Sequence, residues 1–405
     1  MIKRALCRLL LLFCPVVAQG ATQSVVLISL DGFRWDYIEK HQATNLADMA
    51  VKGVRAERML PVYPSKTFPN HLSLITGLLP VHHGIVDNKF CHKQRQECYK
   101  MGDGGKDSTW IQGIPLWNLA EMHGVKSAVY FWPESDARIN GMTPSYYYHY
   151  AKQADYSNRV QQILDWLALP VAQRPRFIAG YFSLVDTIGH EFGPSAAQTR
   201  DAVQQVDKLI GLLRAGLADK PEVNLLVVAD HGMAEIHADK AIDVRTLPYD
   251  DDFKLVNSGT RLMYYAKPGV SAGQVQRFRQ KLLDVANGRY QWLNNQRLSA
   301  LSYQGHAGVA DIILETQAPA FFVEKDLQGQ QVMGAHGYIP NQDMGAVFVA
   351  QGPAFKKGLR IPAFSNLDVY PIVARILGIR PLGPIDGDGQ GLEEALTGLV
   401  AQSPH

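Results

Sequence analysis

Three aspartates and three histidines, residue types that bind metal ions, occur in short motifs spread over the chain. They are Asp31, Asp186, His190, Asp230, His231 and His336. The spacing of Asp186 and His190 puts both on one side of a helical turn. Mixed oxygen and nitrogen ligands suit zinc or a similar divalent cation. Six ligands are too many for one zinc ion, so the set predicts two, which can stabilise both oxygens of a phosphoryl displacement.

A hydroxyl nucleophile for such a site is available in segment 61–77, which we interpret as a loop that enters a helix. Pro69 is tolerated in a first helical turn, and a hydroxyl just before it would lie where free backbone N–H groups favour anions. Ser65 and Thr67 both fit, and this segment alone does not decide between them. Thr67 also fits a simple N-cap. His71, one turn later, fits packing or support of a neighbouring group as well as catalysis.

The aspartates follow apolar segments of the kind that form buried strands. Apolar runs at 24–30, 127–132, 177–185, 223–229, 261–266, 310–314 and 346–351 predict strands covered on both faces. Amphipathic stretches at 43–52, 157–169, 196–218, 272–286 and 368–377 predict helices. This alternation predicts a doubly wound α/β fold, with a mostly parallel central sheet and helices on both faces. Ligands bind beyond the carboxyl ends of such strands, so we expect Asp31, Asp186 and Asp230 at one edge.

The N-terminal residues predict a signal peptide, followed by one catalytic domain over residues 21–405. Basic residues at 3–8 precede a short apolar run at 9–17, and small residues at 18 and 20 suit a cleavage site. This run is about half as long as the ~20 residues of a membrane span. We therefore expect a secreted, periplasmic protein without a transmembrane segment after cleavage. Polar residues at about 245–330 leave open a small cap inserted into the domain.

Charge and cysteine content narrow the function further. The 405 residues include 40 Lys and Arg and 38 Asp and Glu, and loss of residues 1–20 would remove three basic and no acidic side chains. The remaining net charge of −1 gives no basic field for nucleic acid. We therefore expect a small-molecule substrate and no specific nucleic-acid binding. Cys91 and Cys98, separated by six residues, predict a disulfide-closed loop, with two free thiols as the alternative.

Several motifs occur together in an order that resembles one known family. They are Ser-Leu-Asp-Gly-Phe-Arg at 29–34, Pro-Ser-Lys-Thr-Phe-Pro-Asn-His at 64–71, Thr-Gly at 76–77, His-Gly-Ile-Val-Asp-Asn at 83–88, Phe-Trp-Pro at 131–133, Asp-Thr-Ile-Gly-His at 186–190, Asp-His-Gly at 230–232 and Ala-His-Gly-Tyr at 335–338. Over about residues 24–380 the chain closely resembles the nucleotide pyrophosphatase/phosphodiesterase family of the alkaline phosphatase superfamily. The resemblance implies hydrolysis of phosphodiester or pyrophosphate bonds, in nucleotides or their derivatives, through a covalent phospho-threonine on two zinc ions.

The same resemblance implies a role for each site residue. The implied zinc ligands are Asp186, His190 and His336 for one ion and Asp31, Asp230, His231 and Thr67 for the other. Thr67 would also be the nucleophile. Asn88 and the backbone N–H of Thr67 would hydrogen-bond a phosphoryl oxygen on which charge develops. Phe68 and Tyr147 would stack on a nucleotide base.

Departures from the family pattern leave the substrate open. Glu134 stands where the family usually has glycine, and residues 184–185 and 339–340 also differ from the common pattern. A phosphomonoesterase or phosphonate hydrolase on the same scaffold is one alternative. Monoesterases usually balance the extra phosphate charge with a cation, for which Arg34 and Lys66 are nearby residues. An exported metal- or nucleotide-binding protein without catalysis is the other alternative, and the oligomeric state stays open.

Overall fold

The centre of the molecule is an eight-stranded sheet, seen in a computed structural model that describes residues 22–325, 327 and 332–398. In spatial order its strands are Leu359–Ile361, Val54–Ala56, Phe348–Gln351, Val223–Val228, Ser24–Leu30, Phe177–Phe182, Ser127–Tyr130 and Tyr146–Tyr148. Phe348–Gln351 is antiparallel to its two neighbours, and the other seven strands run in one direction. The predicted mostly parallel central sheet is confirmed. The predicted signal peptide lies outside the described residues.

The inner strands are buried along their whole length, which explains their composition. Every residue of Ser24–Leu30, Phe177–Phe182 and Val223–Val228 is buried. Because helices cover both faces, apolar and β-branched residues are needed at successive positions rather than at alternate ones. Fully buried side chains such as Val26 and Leu226 each contribute roughly 1.5–3 kcal/mol relative to an exposed position.

Two groups of helices cover the two faces of the sheet. One contains Thr44–Lys52, Tyr156–Ala168 and Ala197–Gly216, and the other Thr67–Thr76, Leu116–Met122 and Val369–Leu377. Successive side chains of a strand point to opposite faces of the sheet, so two adjacent residues each contact one group of helices. Ile28 lies over Gly180 together with Ile163 of the first group, whereas the hydroxyl of Ser29 is 2.8 Å from Nε2 of His71 in the second. Within the described ranges, none of the helices has the length and apolar composition needed to cross a lipid bilayer.

A second sheet, here called the small sheet, has four antiparallel strands. Their order is Phe253–Asn257, Arg261–Ala266, Ile312–Glu315 and Gln291–Trp292. Helices Ala272–Asp284 and Asn295–Ala300 lie within the same part of the chain. These elements fall inside the range 245–330 in which a cap was considered. The division of the chain into a main domain and a cap stays a prediction.

The small sheet corrects the assignment of two predicted strands. The runs at 261–266 and 310–314 belong to it and not to the central sheet. Both of its faces are buried, because Leu262 contributes to one apolar core and Met263 to another. Strands covered on both faces have a continuous apolar pattern whether they are parallel or antiparallel, so the sequence pattern could not separate the two cases.

A hairpin of strands Lys89–His92 and Glu97–Lys100 forms a third, two-stranded sheet. Cys91 lies opposite Cys98 across the hairpin, and the two residues form a disulfide. The predicted disulfide is confirmed. The crosslinked hairpin begins directly after Asn88 and ends directly before the segment 101–105. Asn88 and this segment both contact the functional site described below.

Candidate active site

Asp31 and Asp230 lie side by side at the carboxyl edge of the central sheet. Asp31 follows strand Ser24–Leu30 directly, and Asp230 comes two residues after the neighbouring strand Val223–Val228. Because these strands are parallel, their carboxyl ends meet. The backbone N–H of Gly32 donates a hydrogen bond of 3.2 Å to Oδ1 of Asp230. The edge predicted from the strand ends is therefore where these two carboxylates converge.

Asp186 reaches the same edge from a helix and not from a strand end. Strand Phe177–Phe182 is shorter than predicted, and Asp186 lies in the first turn of helix Leu184–Phe192. The helical spacing puts His190 on the same side, with Nε2 3.4 Å from Oδ1 of Asp186. Nε2 of His336 is 3.6 Å from the same oxygen. The predicted i, i+4 pair is thus presented by a helix that begins earlier than expected.

The predicted ligands form two groups whose ligand atoms are close enough to hold a metal ion. One group is Asp186, His190 and His336, and the other is Asp31, Asp186 and His231, so Asp186 belongs to both. Within each group the ligand atoms lie within 4.8 Å of one another. Asp230 approaches the second group with Oδ2 2.9 Å from Nε2 of His231. All six side chains meet at one place, and their assignment to particular ions stays a prediction.

The three histidines present the same ring nitrogen to this cluster. The Nδ1 atoms of His190, His231 and His336 each lie 2.9 Å from a backbone carbonyl oxygen, of Gly334, Gly232 and Ser65 respectively. An Nδ1–H that donates to a carbonyl leaves Nε2 unprotonated and able to bind a metal ion. The backbone therefore selects the tautomer that a metal site requires.

Asp31 and Asp230 are buried and Asp186 is partly buried, and the ion-pair partners of all three carboxylates are histidines. One oxygen each of Asp31 and Asp186 is buried and has no hydrogen-bond partner. Burial, together with the charges of Asp230 and Asp186, raises the pKa of Asp31 well above its usual value. Burial also acts to raise the pKa of Asp230, but His231 and His71 outweigh it and hold that pKa well below its usual range. Such a donor set fits divalent cations, whose charge would offset the repulsion.

Thr67 is the hydroxyl residue that the fold places beside this cluster. It begins helix Thr67–Thr76, and its Oγ1 lies 3.3 Å from Nε2 of His231. The free N–H groups of a helix N-terminus favour a negatively charged group here. Ser65, which the sequence could not separate from Thr67, is fully buried and donates its hydroxyl to the carbonyl of Tyr338 at 3.0 Å. The geometry therefore favours Thr67 as the nucleophile.

Asn88 contacts the beginning of the same helix. Its Oδ1 accepts a hydrogen bond of 2.9 Å from the backbone N–H of Phe68. The side-chain amide has one acceptor oxygen and one donating –NH₂ group, so the donor is the part that can serve a ligand. Asn88 is held between helix Thr67–Thr76 and strand Lys89–His92 of the crosslinked hairpin. Its contact with a phosphoryl oxygen stays a prediction.

A cavity of about 410 Å³ opens beside Thr67 and Asp31. Its aromatic lining consists of Phe68, Phe131, Trp132, Tyr148, Tyr150 and Tyr181. Tyr147 packs against the main apolar core and is not among the residues that line this cavity, so its stacking role stays a prediction. Alternate residues of strand Tyr146–Tyr148 face opposite ways, so Tyr148 is directed to the cavity and Tyr147 away from it. Tyr150 is the further tyrosine that the sequence reasoning missed.

Tyr181 and His71 contact the carboxylates of Asp31 and Asp230 and help to hold them in place. The Tyr181 hydroxyl donates a hydrogen bond of 2.5 Å to Oδ2 of Asp31. Nδ1 of His71 lies 2.8 Å from the carbonyl oxygen of Thr67 and 3.4 Å from Oδ2 of Asp230. His71 therefore contacts both the backbone of Thr67 and the carboxylate of Asp230. Its four-residue spacing from Thr67 was a usable signal, whereas no local pattern marks Tyr181, which is 150 residues from its partner.

Comparisons with known proteins agree with this geometry. The family model for type I phosphodiesterase/nucleotide pyrophosphatase matches residues 25–339. Ectonucleotide pyrophosphatase/phosphodiesterase family member 3 from Bos taurus is 33% identical over 400 residues, which cover 92% of this chain and 44% of that protein. Venom phosphodiesterase from Naja atra is 32% identical over 414 residues, which cover 95% of this chain and 47% of that protein. The chain thus spans less than half the length of these two relatives.

Solved structures show the same architecture. Murine ectonucleotide pyrophosphatase/phosphodiesterase 5 superposes with a TM-score of 0.84 at 24% identity, covering 93% of this chain and all of that one. The human protein of the same name gives a TM-score of 0.83 at 25% identity, covering 92% of this chain. The structural likeness confirms the α/β fold, and the family model covers well over half of the sequence. The chain therefore belongs to the type I phosphodiesterase/nucleotide pyrophosphatase family of the alkaline phosphatase superfamily.

Proposed function

We propose that this protein hydrolyses phosphodiester or pyrophosphate bonds in nucleotides or nucleotide derivatives, with Thr67 as a covalent nucleophile. One observation carries the proposal. The Thr67 hydroxyl lies at a helix N-terminus, faces an aromatic cavity and adjoins the cluster of three aspartates and three histidines. A murine relative supports it, since that protein has an inactive threonine-to-alanine variant that was solved in complex with AMP.

The proposed reaction is a double displacement. The Thr67 oxygen attacks phosphorus, the bond from phosphorus to the leaving oxygen breaks, and the phosphoryl group is transferred to Thr67. Water then hydrolyses the phospho-threonine and restores the hydroxyl. The Asn88 –NH₂ and the Thr67 backbone N–H hydrogen-bond a non-bridging oxygen during both steps. Two zinc ions, or similar divalent cations, held by the two ligand groups would lower the pKa of the Thr67 hydroxyl and neutralise phosphoryl charge.

The cations near Thr67 favour a diester over a monoester substrate. A phosphomonoesterase has an additional negative charge to balance. Arg34 already pairs with two aspartates, at 2.7 and 3.1 Å. Nζ of Lys66 is buried and donates to the carbonyl oxygens of Ser258 and His336 at 2.8 and 2.9 Å. Neither is free to bind phosphate, and Lys152, the one Lys or Arg among the residues that line the cavity, is exposed.

A matched pair of variants tests the nucleophile. Thr67→Ala should lower kcat for the p-nitrophenyl ester of thymidine monophosphate by a factor on the order of 10³ or more, while zinc still binds. Ser65→Ala should keep most of the turnover, because its hydroxyl is committed to a backbone carbonyl. Near-normal rates in the Thr67 variant would rule out the scheme.

Two further measurements address the alternatives. The diester bis-p-nitrophenyl phosphate should be hydrolysed with a higher kcat/KM than the monoester p-nitrophenyl phosphate. The reverse order would favour the monoesterase alternative. Zinc binding by the purified protein without turnover of any phosphate ester would instead favour a non-catalytic binding protein.

We also propose that the protein is exported to the periplasm or the cell exterior. The Cys91–Cys98 disulfide supports this location, because such crosslinks persist in oxidising compartments. Cell fractionation followed by N-terminal sequencing should find an exported chain that begins near residue 21. A cytoplasmic chain that retains residues 1–20 would contradict the proposal.

A further inference from the structure

Glu134 lies on the wall of the cavity in a backbone conformation that normally suits glycine. Its φ is 62°, in the left-handed region, and its side chain is 4% exposed. Residues with a Cβ atom adopt this region at a cost in free energy. A glutamate at this position must make interactions that offset the backbone cost.

The carboxylate of Glu134 holds the glycine-rich segment 101–105. Its Oε1 accepts hydrogen bonds from the Tyr99 hydroxyl and from the backbone N–H groups of Gly102 and Gly104, the latter two at 3.2 Å. Hydrogen bonds to a carboxylate are stronger than those between neutral groups. One buried oxygen therefore attaches three points of the chain to the loop that contains Glu134.

Two glycines make this close contact sterically feasible. A Cβ atom on Gly104 would lie 2.7 Å from Cδ of Glu134, and one on Gly105 would lie 2.7 Å from Oδ1 of Asp136. The segment 101–105 thus packs directly against the loop that carries both acidic residues. A Cβ atom at either glycine would require the segment or these acidic side chains to shift.

The attached segment is itself part of the substrate cavity. Met101 and Gly102 line the cavity together with Thr67, Phe68 and Tyr150. Tyr99, which precedes the segment in the chain, is buried and stacks on Phe90 with ring centroids 5.1 Å apart. The wall is therefore fixed both by the crosslinked hairpin and by Glu134.

We propose that Glu134 is a positioning residue for substrate, which fastens segment 101–105 as one wall of the cavity and sets its width for a planar aromatic group such as a nucleobase. The aromatic lining can stack on such a group, but only if the opposite wall stays in place. Glu134 acts through Met101 and Gly102 and leaves the chemistry at Thr67 unchanged. This inference rests on the proposed function in its choice of substrate.

Two variants distinguish the effect of the Glu134 hydrogen bonds from that of the strained backbone conformation. Glu134→Gly removes the anchor while suiting the left-handed conformation, so the loop itself is not strained. Glu134→Gln keeps an acceptor oxygen for the three donors. With the p-nitrophenyl ester of thymidine monophosphate, the glycine variant should raise KM about tenfold with kcat within about twofold. The glutamine variant should restore a KM close to that of the unmodified protein. With methyl p-nitrophenyl phosphate, which has no base, KM should change in neither variant.

Limited proteolysis gives a readout that does not depend on turnover. Lys100 and Lys106 flank the segment and are exposed, so trypsin should cut there about tenfold faster in Glu134→Gly and at the normal rate in Glu134→Gln. A glycine variant with normal KM and normal cleavage would overturn the inference, as would a glutamine variant as impaired as the glycine one. If no phosphodiester were hydrolysed at all, the proposed function would fail, whereas the cleavage rates would still test the anchor.

Discussion

Two clusters of charged side chains lie close to Thr67, and they are built differently. The first, the edge cluster, contains the predicted metal ligands Asp31, Asp186, His190, Asp230, His231 and His336, of which His190 is exposed and Asp186 partly buried. The second, the interface cluster, lies where the small sheet meets the segments around Thr67. It contains Lys66, Asp87, Arg261 and Glu315, all of which are buried.

In the interface cluster, charges of opposite sign are matched. Nε of Arg261 donates to Oδ2 of Asp87 at 2.8 Å. Glu315 accepts a hydrogen bond of 2.8 Å from the Tyr63 hydroxyl, and Lys66 donates to two backbone carbonyls. Arg261 and Asp87 thus balance each other, while Glu315 and Lys66 are hydrogen-bonded to neutral groups. In the edge cluster, three carboxylates face one another, and the basic side chains beside them are histidines.

The comparison teaches that pairing, rather than burial, distinguishes a binding site from a structural cluster. Burial of charge is costly in both clusters. The interface cluster offsets part of that cost by pairing Arg261 with Asp87, although one oxygen of Glu315 and one nitrogen of Arg261 also lack a hydrogen-bond partner. In the edge cluster the atoms without a partner are carboxylate oxygens of like charge, which is the arrangement that a bound cation would complete. Removal of a charge should therefore have opposite effects on stability in the two clusters.

The largest effect is expected from Asp186→Asn in the edge cluster. Asp186 belongs to both groups of ligands, so its loss should lower kcat by a factor on the order of 10³ or more. In metal-free protein the same change should leave the free energy of unfolding unchanged or raise it by about 1 kcal/mol, because repulsion between carboxylates is relieved. Steady-state kinetics and urea unfolding measure the two effects.

Metal removal provides the internal comparison for this variant. Chelation should lower the free energy of unfolding of the unmodified protein by about 3 kcal/mol if the metal is present at about 100 times its Kd. The decrease should be smaller in Asp186→Asn. Asp48→Asn, which changes a surface carboxylate paired with Lys52, should behave like the unmodified protein. A chelation effect of equal size in Asp186→Asn would contradict the role of Asp186 at both groups.

A smaller but still large effect is expected from Arg261→Met in the interface cluster. The change leaves Asp87 buried without its partner, so it should lower the free energy of unfolding by about 3–5 kcal/mol. The double variant with Asp87→Leu should recover part of this loss, because the uncompensated charge is then absent. Denaturant unfolding of the four proteins gives the coupling. If the single and double variants were equally unstable, the pairing of these two residues would not explain the stability of the cluster.

The two clusters also differ in how far the sequence predicted them. Each ligand of the edge cluster occurs in a short motif, such as the apolar strand Ser24–Leu30 followed by Asp31, so local patterns were enough. Arg261 and Asp87 are 174 residues apart, and no local pattern joins them. We also predicted that residues 261–266 form a strand of the central sheet, whereas they form a strand of the small sheet.

The cavity wall was predicted only in part for the same reason. Phe68 follows Thr67 directly, and it was predicted through the motif at residues 64–71 that contains both. Which of Tyr147 and its neighbours faces the cavity depends on the face of a short edge strand that each residue occupies. A run of three tyrosines has no alternation of polar and apolar residues, so the sequence does not indicate those faces. The contact of Glu134 with Tyr99 joins a loop to a hairpin strand, between residues 35 positions apart. Contacts of this kind are set by tertiary packing.

The last effect, small over any single pH unit, is expected from Glu315→Gln, and it concerns the pH dependence of stability in the interface cluster. Burial raises the pKa of Glu315 to about 8, against a usual value of 4.5. Between these two values the folded protein keeps a proton that the unfolded chain has released, so stability should fall as pH rises, by at most about 1.4 kcal/mol per pH unit for this group. Glutamine cannot titrate. The free energy of unfolding of Glu315→Gln, relative to the unmodified protein, should therefore increase from pH 5 to pH 8 and then level off. Urea unfolding of both metal-free proteins across that range measures the difference, from which titrations common to both proteins cancel. A constant difference would show that Glu315 is already ionised in the folded protein at pH 5 and would contradict the raised pKa.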